Sequence, residues 1–164
     1  MGTAFDLGKE QLEEMFPALR GTSWDIKSDG TPVYNCLAWA VGENHRRWDT
    51  DKPHYWPDNN RHKFGIAYLV AAYRAVGFVV SNIDACVPDA EYEKIVLYCR
   101  DTEGSHAARL LANGRWTSKI GSHEDIEHET PGSLIGSVYG KPMVYMRRKK
   151  TDGKKKKVEK RTAE

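Results

Sequence analysis

Tyr34-Asn35-Cys36-Leu37-Ala38-Trp39-Ala40-Val41-Gly42 is the stretch on which the fold turns. Asn35 is a helix-capping residue type, Leu37 to Val41 are apolar, and Gly42 is a C-terminal stop, so the segment predicts a short buried helix. Cys36 then falls in the first turn. Unpaired N–H groups and the positive end of the macrodipole favour a thiolate there, which makes Cys36 a candidate nucleophile. The plainer reading is a small buried hydrophobe beside Leu37, Ala38, Trp39 and Ala40.

Working outward towards the N-terminus, residues 19–32 carry Gly21, Gly30 and Pro32 and read as a loop. Before it, residues 6–16 predict a short peripheral helix, with Asp6 as a cap and Pro17 as its end. In the other direction, residues 43–63 form a long connection containing Trp48, Pro53, Tyr55, Trp56 and Pro57. Loops of that length are often functional, although aromatics in them also serve as anchors on the core. Residues 64–76 predict a second helix, with Phe64, Tyr68, Ala71 and Ala75 on one face and Gly77 at its end.

From there the pattern changes to strands, at residues 78–80, 94–99, 105–111, 116–120 and 143–146. Asn113-Gly114 is a hairpin signal joining the third of these to the fourth. Helices first and an antiparallel sheet afterwards define an α+β architecture. A nucleophilic cysteine needs a base, and His106 opens a sheet strand. A third polar group would orient the imidazole; counting across the turn gives Asp125 first and Ser118 second.

Composition narrows the classes. The chain has 164 residues, 40% of them hydrophobic, and reads as one domain able to build a core. Its formal charge of +2 hides a division: residues 147–164 carry +7 and residues 1–146 carry −5. A uniformly basic nucleic-acid binder is excluded for the body, and any nucleic-acid contact belongs to the Lys-rich end. Residues 148–164 read as a disordered basic tail after a domain spanning 19–147. No apolar run suits a membrane span or a secretion signal, so the expected location is cytoplasmic. Cys36, Cys86 and Cys99 are an odd number without a CxxC pair, which points to free thiols. His123, Glu124, Asp125, Glu127 and His128 crowd metal-capable groups together without a metal-site spacing, and read as a solvated acidic turn.

A helix-borne cysteine followed by a sheet histidine and a polar residue resembles the papain-like fold of NlpC and CHAP amidases. More specifically, Tyr34 to Gly42, Ser105-His106-Ala107-Ala108-Arg109, Gly114 to Gly121 and Asp125-Ile126-Glu127-His128 resemble a family of small uncharacterised bacterial proteins. The resemblance implies a cysteine-dependent hydrolase or acyl-transfer fold without supplying a substrate; the leading expectation is an amidase or peptidase, with no cofactor. Cys36 would attack a peptide or other amide carbonyl and His106 would shuttle the proton, with Asp125 orienting it. The Cys36 N–H and the Asn35 side chain would hold the oxyanion, and Trp48 and Trp56 would wall the groove. Two alternatives stay open: a catalytically silent papain-like module that binds a protein partner, and a metal-dependent enzyme centred on His106, His123 and His128.

Overall fold

A computed structural model describes residues 2–151. Its elements are α1 (Gly8–Met15), β1 (Trp24–Ser28), α2 (Cys36–Trp39), α3 (Ala67–Ala75), β2 (Val79–Val80), β3 (Tyr92–Arg100), β4 (Glu103–Leu110), β5 (Trp116–Lys119), β6 (Asp125–His128) and β7 (Lys141–Lys149). Short 3-10 turns occupy Pro17–Gly21 and Pro131–Leu134. The seven strands form one antiparallel sheet in the order β1-β6-β5-β4-β3-β7-β2. The α+β class is therefore as the sequence indicates.

Strand alternation divides the interior into two cores. Ile95, Leu97, Ala107 and Met146 pack with Ala38 of α2, with Leu69, Ala72 and Tyr73 of α3, and with Trp48. The opposite face carries Val96, Tyr98, Ala108, Trp116 and Ile126, covered by Leu12, Phe16, Leu19, Leu134 and Tyr139. Helix α1 is thus not peripheral. Leu12 and Phe16 are fully buried, and each such side chain contributes roughly 1.5–3 kcal/mol of burial.

The Asn113-Gly114 turn forms as its residue types dictate. Gly114 takes φ +86°, a left-handed conformation that glycine adopts without strain. Asn113 accepts from Arg115 N and donates to Glu127 across the sheet. Its hairpin joins β4 to β5, pairing Arg109 with Thr117 and Leu110 with Trp116.

Several expectations change. The 19–32 loop contains β1, whose outward residues are exposed because it is a sheet edge. Asp6 does not cap α1; its carboxylate accepts from Gly30 N and Thr3 N. The α1 terminus is held instead by Glu124, which accepts from Leu7 N at 2.9 Å and Gly8 N at 2.8 Å. Phe64 lies outside α3 and is exposed. The supposed acidic turn contains β6, with Asp125, Ile126, Glu127 and His128 all buried.

The boundary at 147/148 also moves. β7 continues through Lys149, Arg148 donates to Glu93 and to the Val76 carbonyl, and Lys150 donates to the Asp89 carbonyl. Residues 152–164 of the expected tail lie outside the described residues. No helix among those described is long and apolar enough to cross a membrane.

Candidate functional site

Cys36 is the first residue of α2, and Asn35 is its cap: the Asn35 carbonyl oxygen Oδ1 accepts from Ala38 N at 3.3 Å. The same oxygen accepts from Trp48 N at 3.1 Å, while Asn35 Nδ2 donates to the Trp48 carbonyl at 2.8 Å. One side chain therefore ends the loop, starts the helix and ties down the aromatic connection. That engagement fixes the Asn35 side chain and uses one of its two Nδ2 protons, leaving the second as the one an oxyanion contact could use.

A cleft of about 400 Å³ opens over Cys36. Trp48 and Trp56 line it, as expected of the aromatic connection, together with Tyr68, Arg47, Asp49, Lys63, Arg100, Glu103 and Tyr139. Trp48 is almost fully buried, donates through Nε1 to Glu43 and packs on Tyr55 and Tyr73. Trp56 stacks on Tyr68, whose hydroxyl donates to the Gly104 carbonyl. Both tryptophans are anchors first, and the cleft wall is what their edges leave exposed.

The cysteine does not meet its expected partners. Tyr98 pairs with His106 and Leu97 with Ala107, and paired residues share a face. Ala107 lies under α2, so His106 projects from the other side of the sheet, where its ring stacks on Tyr139 with centroids 4.0 Å apart. Asp125 fails as its orienting group for the same reason. It pairs with Lys119 in register, one residue out of phase with Ile126, and so faces away from His106.

Ser118 is the residue that holds His106, at 3.0 Å between Oγ and Nε2. It also lies 2.8 Å from His128 Nε2, and His128 Nδ1 lies 2.8 Å from the Thr130 carbonyl. The protons follow from the acceptors. A carbonyl can only accept, so His128 carries its proton on Nδ1, and its Nε2 accepts from the Ser118 hydroxyl. Ser118 Oγ in turn accepts from His106 Nε2–H. His106 Nδ1 is left as a bare, buried lone pair with no hydrogen-bond partner. Ser118 is fully buried in this network and does not touch the cleft.

Electrostatics favour the neutral forms of Cys36, His106 and His128. Burial pushes the Cys36 thiol up to about 11, against smaller opposing effects of the Ala107 backbone and the Lys119 charge. Burial also holds His106 well below the usual histidine range, aided by His128, and holds His128 at about 4. Lys119, whose ammonium donates to the carbonyls of Thr31 and Gly121, is lowered by burial to about 8, with Asp125 opposing the shift. The helix-terminus argument for a thiolate at Cys36 is thus outweighed by desolvation, since α2 has a single turn.

The His106, His123 and His128 cluster does not form a metal centre. Ser118 separates two of these rings, His123 bonds to the Phe5 carbonyl, and no group of three or more candidate ligands is present among the described residues. Sequence reasoning missed Tyr68, Glu103, Lys119 and Tyr139. Its spacing puts Tyr68 on a helix face, but nothing in that spacing shows that the face borders a cleft.

No curated protein and no solved structure matches the chain. Residues 25–147, from within β1 to within β7, match the family model described as Domain of unknown function (DUF7689), and the chain belongs to that family.

Proposed function

We propose that the cleft over Cys36 binds an extended peptide segment without cutting it, and that the domain is a papain-like interaction module lacking a working cysteine–histidine pair. The observation that carries this reading is the register of β4, which turns His106 away from α2. A thiol near 11 with no imidazole beside it is almost entirely protonated at neutral pH. The papain-like element rests on order alone, a cysteine helix ahead of an antiparallel sheet. The cleft supplies what peptide capture needs: aromatic edges for side chains, and both charge signs, Arg47, Lys63 and Arg100 against Asp49 and Glu103, for backbone and termini.

The test is twofold. Iodoacetamide near neutral pH is expected to label Cys36 no faster than Cys86, with no change in His106→Ala. Peptides selected on immobilised protein should still bind Cys36→Ala and lose affinity in Trp56→Ala. Rapid Cys36 labelling that His106→Ala slows would overturn the reading.

One observation favours a second reading, a cysteine amidase or peptidase. The β3–β4 register shifts between Tyr98 and Cys99, leaving Ser105 as an extra residue next to His106. Bulges re-aim side chains, and His106 Nδ1 is an unused base. If β4 rotates there, His106 takes the thiol proton as sulfur bonds to the amide carbonyl. It then protonates the departing amine, and water cleaves the thioester. Turnover of a fluorogenic peptide library that Cys36→Ala abolishes would establish this second reading.

A further inference from the structure

A second groove lies at the other end of α2. The β3–β4 ladder ends at Ile95 and Arg109, whereas β3 stays paired with β7 as far as Tyr92 and Lys149. The split opens into a groove of about 710 Å³ lined by Val41, Pro88, Tyr92, Leu110 and Leu111, with Arg109 among them.

Arg109 is the unexplained group. It is half-buried, its guanidinium sits 5.5 Å from the centroid of the Trp39 ring, and its Nε is buried with no hydrogen-bond partner. Among the described residues no carboxylate approaches it within 4.0 Å. Its cationic neighbours are already satisfied: Arg148 donates to Glu93 at 2.8 Å and to the Val76 carbonyl, and Lys150 donates to the Asp89 carbonyl. Glu93 acts on Arg109 only from beyond ion-pair distance and is already bonded to Arg148, and a partly desolvated guanidinium so placed gains when an anion arrives.

We propose that this groove binds an extended acidic peptide, with a Glu or Asp side chain of the ligand seated on Arg109. A single planar guanidinium matches one carboxylate, with two parallel hydrogen bonds. Glu93 and Asp89 on the walls oppose a polyanion such as nucleic acid. The apolar walls suit the residues flanking the acid, and the open side of β3 beyond Ile95 suits a strand-like ligand. The site is separate from the Cys36 cleft and stands whether or not that cleft binds peptide.

The test titrates the full, isotope-labelled chain with a terminally blocked peptide having one Glu between valines, the same peptide with Gln, and inorganic phosphate. The Glu peptide is expected to shift the Trp39 indole N–H and the Leu110 and Leu111 amides saturably, and the Gln peptide to bind at least about tenfold more weakly. Arg109→Gln should abolish the preference. Equal binding of the two peptides, no saturable shift, or an unchanged preference in Arg109→Gln would overturn the proposal. Phosphate giving the same shifts at the same concentration would overturn the peptide assignment. The two-peptide comparison on the unaltered chain decides the matter even if the variant does not fold.

Discussion

The Ser118 hydroxyl lies between two imidazoles, donating to His128 and accepting from His106, and that chain of bonds works only while both rings are neutral. Protonating either ring turns an acceptor nitrogen into a donor in a buried place. With His128 at about 4 and His106 also lowered, the unfolded chain takes up protons below about pH 6.5 that the folded chain refuses. Stability therefore falls on acidification through that window, by on the order of 1 kcal/mol per pH unit for each ring, and urea midpoints measured across it check the slope. Ser118→Ala strips both nitrogens of their partner and is expected to cost about 1–3 kcal/mol at neutral pH by the same measurement. Cys36 gives the complementary profile. Its alkylation rate should keep rising with pH beyond the range of an ordinary thiol and level off only near 11.

Among the elements, α1 depends on a carboxylate that is remote in sequence. Glu124 is buried and accepts from the first amides of the helix, so Glu124→Ala is expected to lose about 1–3 kcal/mol in urea unfolding and to speed amide exchange across Gly8–Met15. Such a cap is invisible in sequence, where Asp6 stands in the conventional place. The long strands and the Asn113-Gly114 turn were legible because apolar runs and turn residues mark them. β6 was not: Asp-Ile-Glu-His looks like a surface turn, and it is buried because Glu127 and His128 find partners in the tertiary structure, although Asp125 Oδ1 is left without one. Glu127 meets Lys27, Arg115 and Asn113, and His128 meets Ser118. The candidate site failed for a related reason. Alternation dictates that His106 and Ala107 face opposite ways, but not which of them lies under α2. Cys36 and its aromatic wall were readable; their relation to His106 required the register.

For the whole molecule, the contrast between an acidic body and a basic end stands as a property of the sequence, but the fold draws its boundary later than the charge does. A chain ending at Arg147 lacks the Arg148 bonds to Glu93 and Val76, both Lys150 bonds and the last rungs of β7. It is expected to melt several degrees below a chain ending at Thr151, a comparison that thermal unfolding makes directly.

The strand order also sets a schedule. Both outer strands, β1 and β2, belong to the first half of the chain, and their partners β6 and β7 are made after them. β7 slots between β3 and β2, so the sheet cannot be completed in the order of synthesis. A ribosome making this protein extrudes α2, α3 and the aromatic connection before the strands that cover their apolar sides exist. Folding must wait for long-range pairing, which is slow and leaves sticky surface in the open meanwhile. The nascent chain is thus a natural client for chaperones until its last strand has emerged.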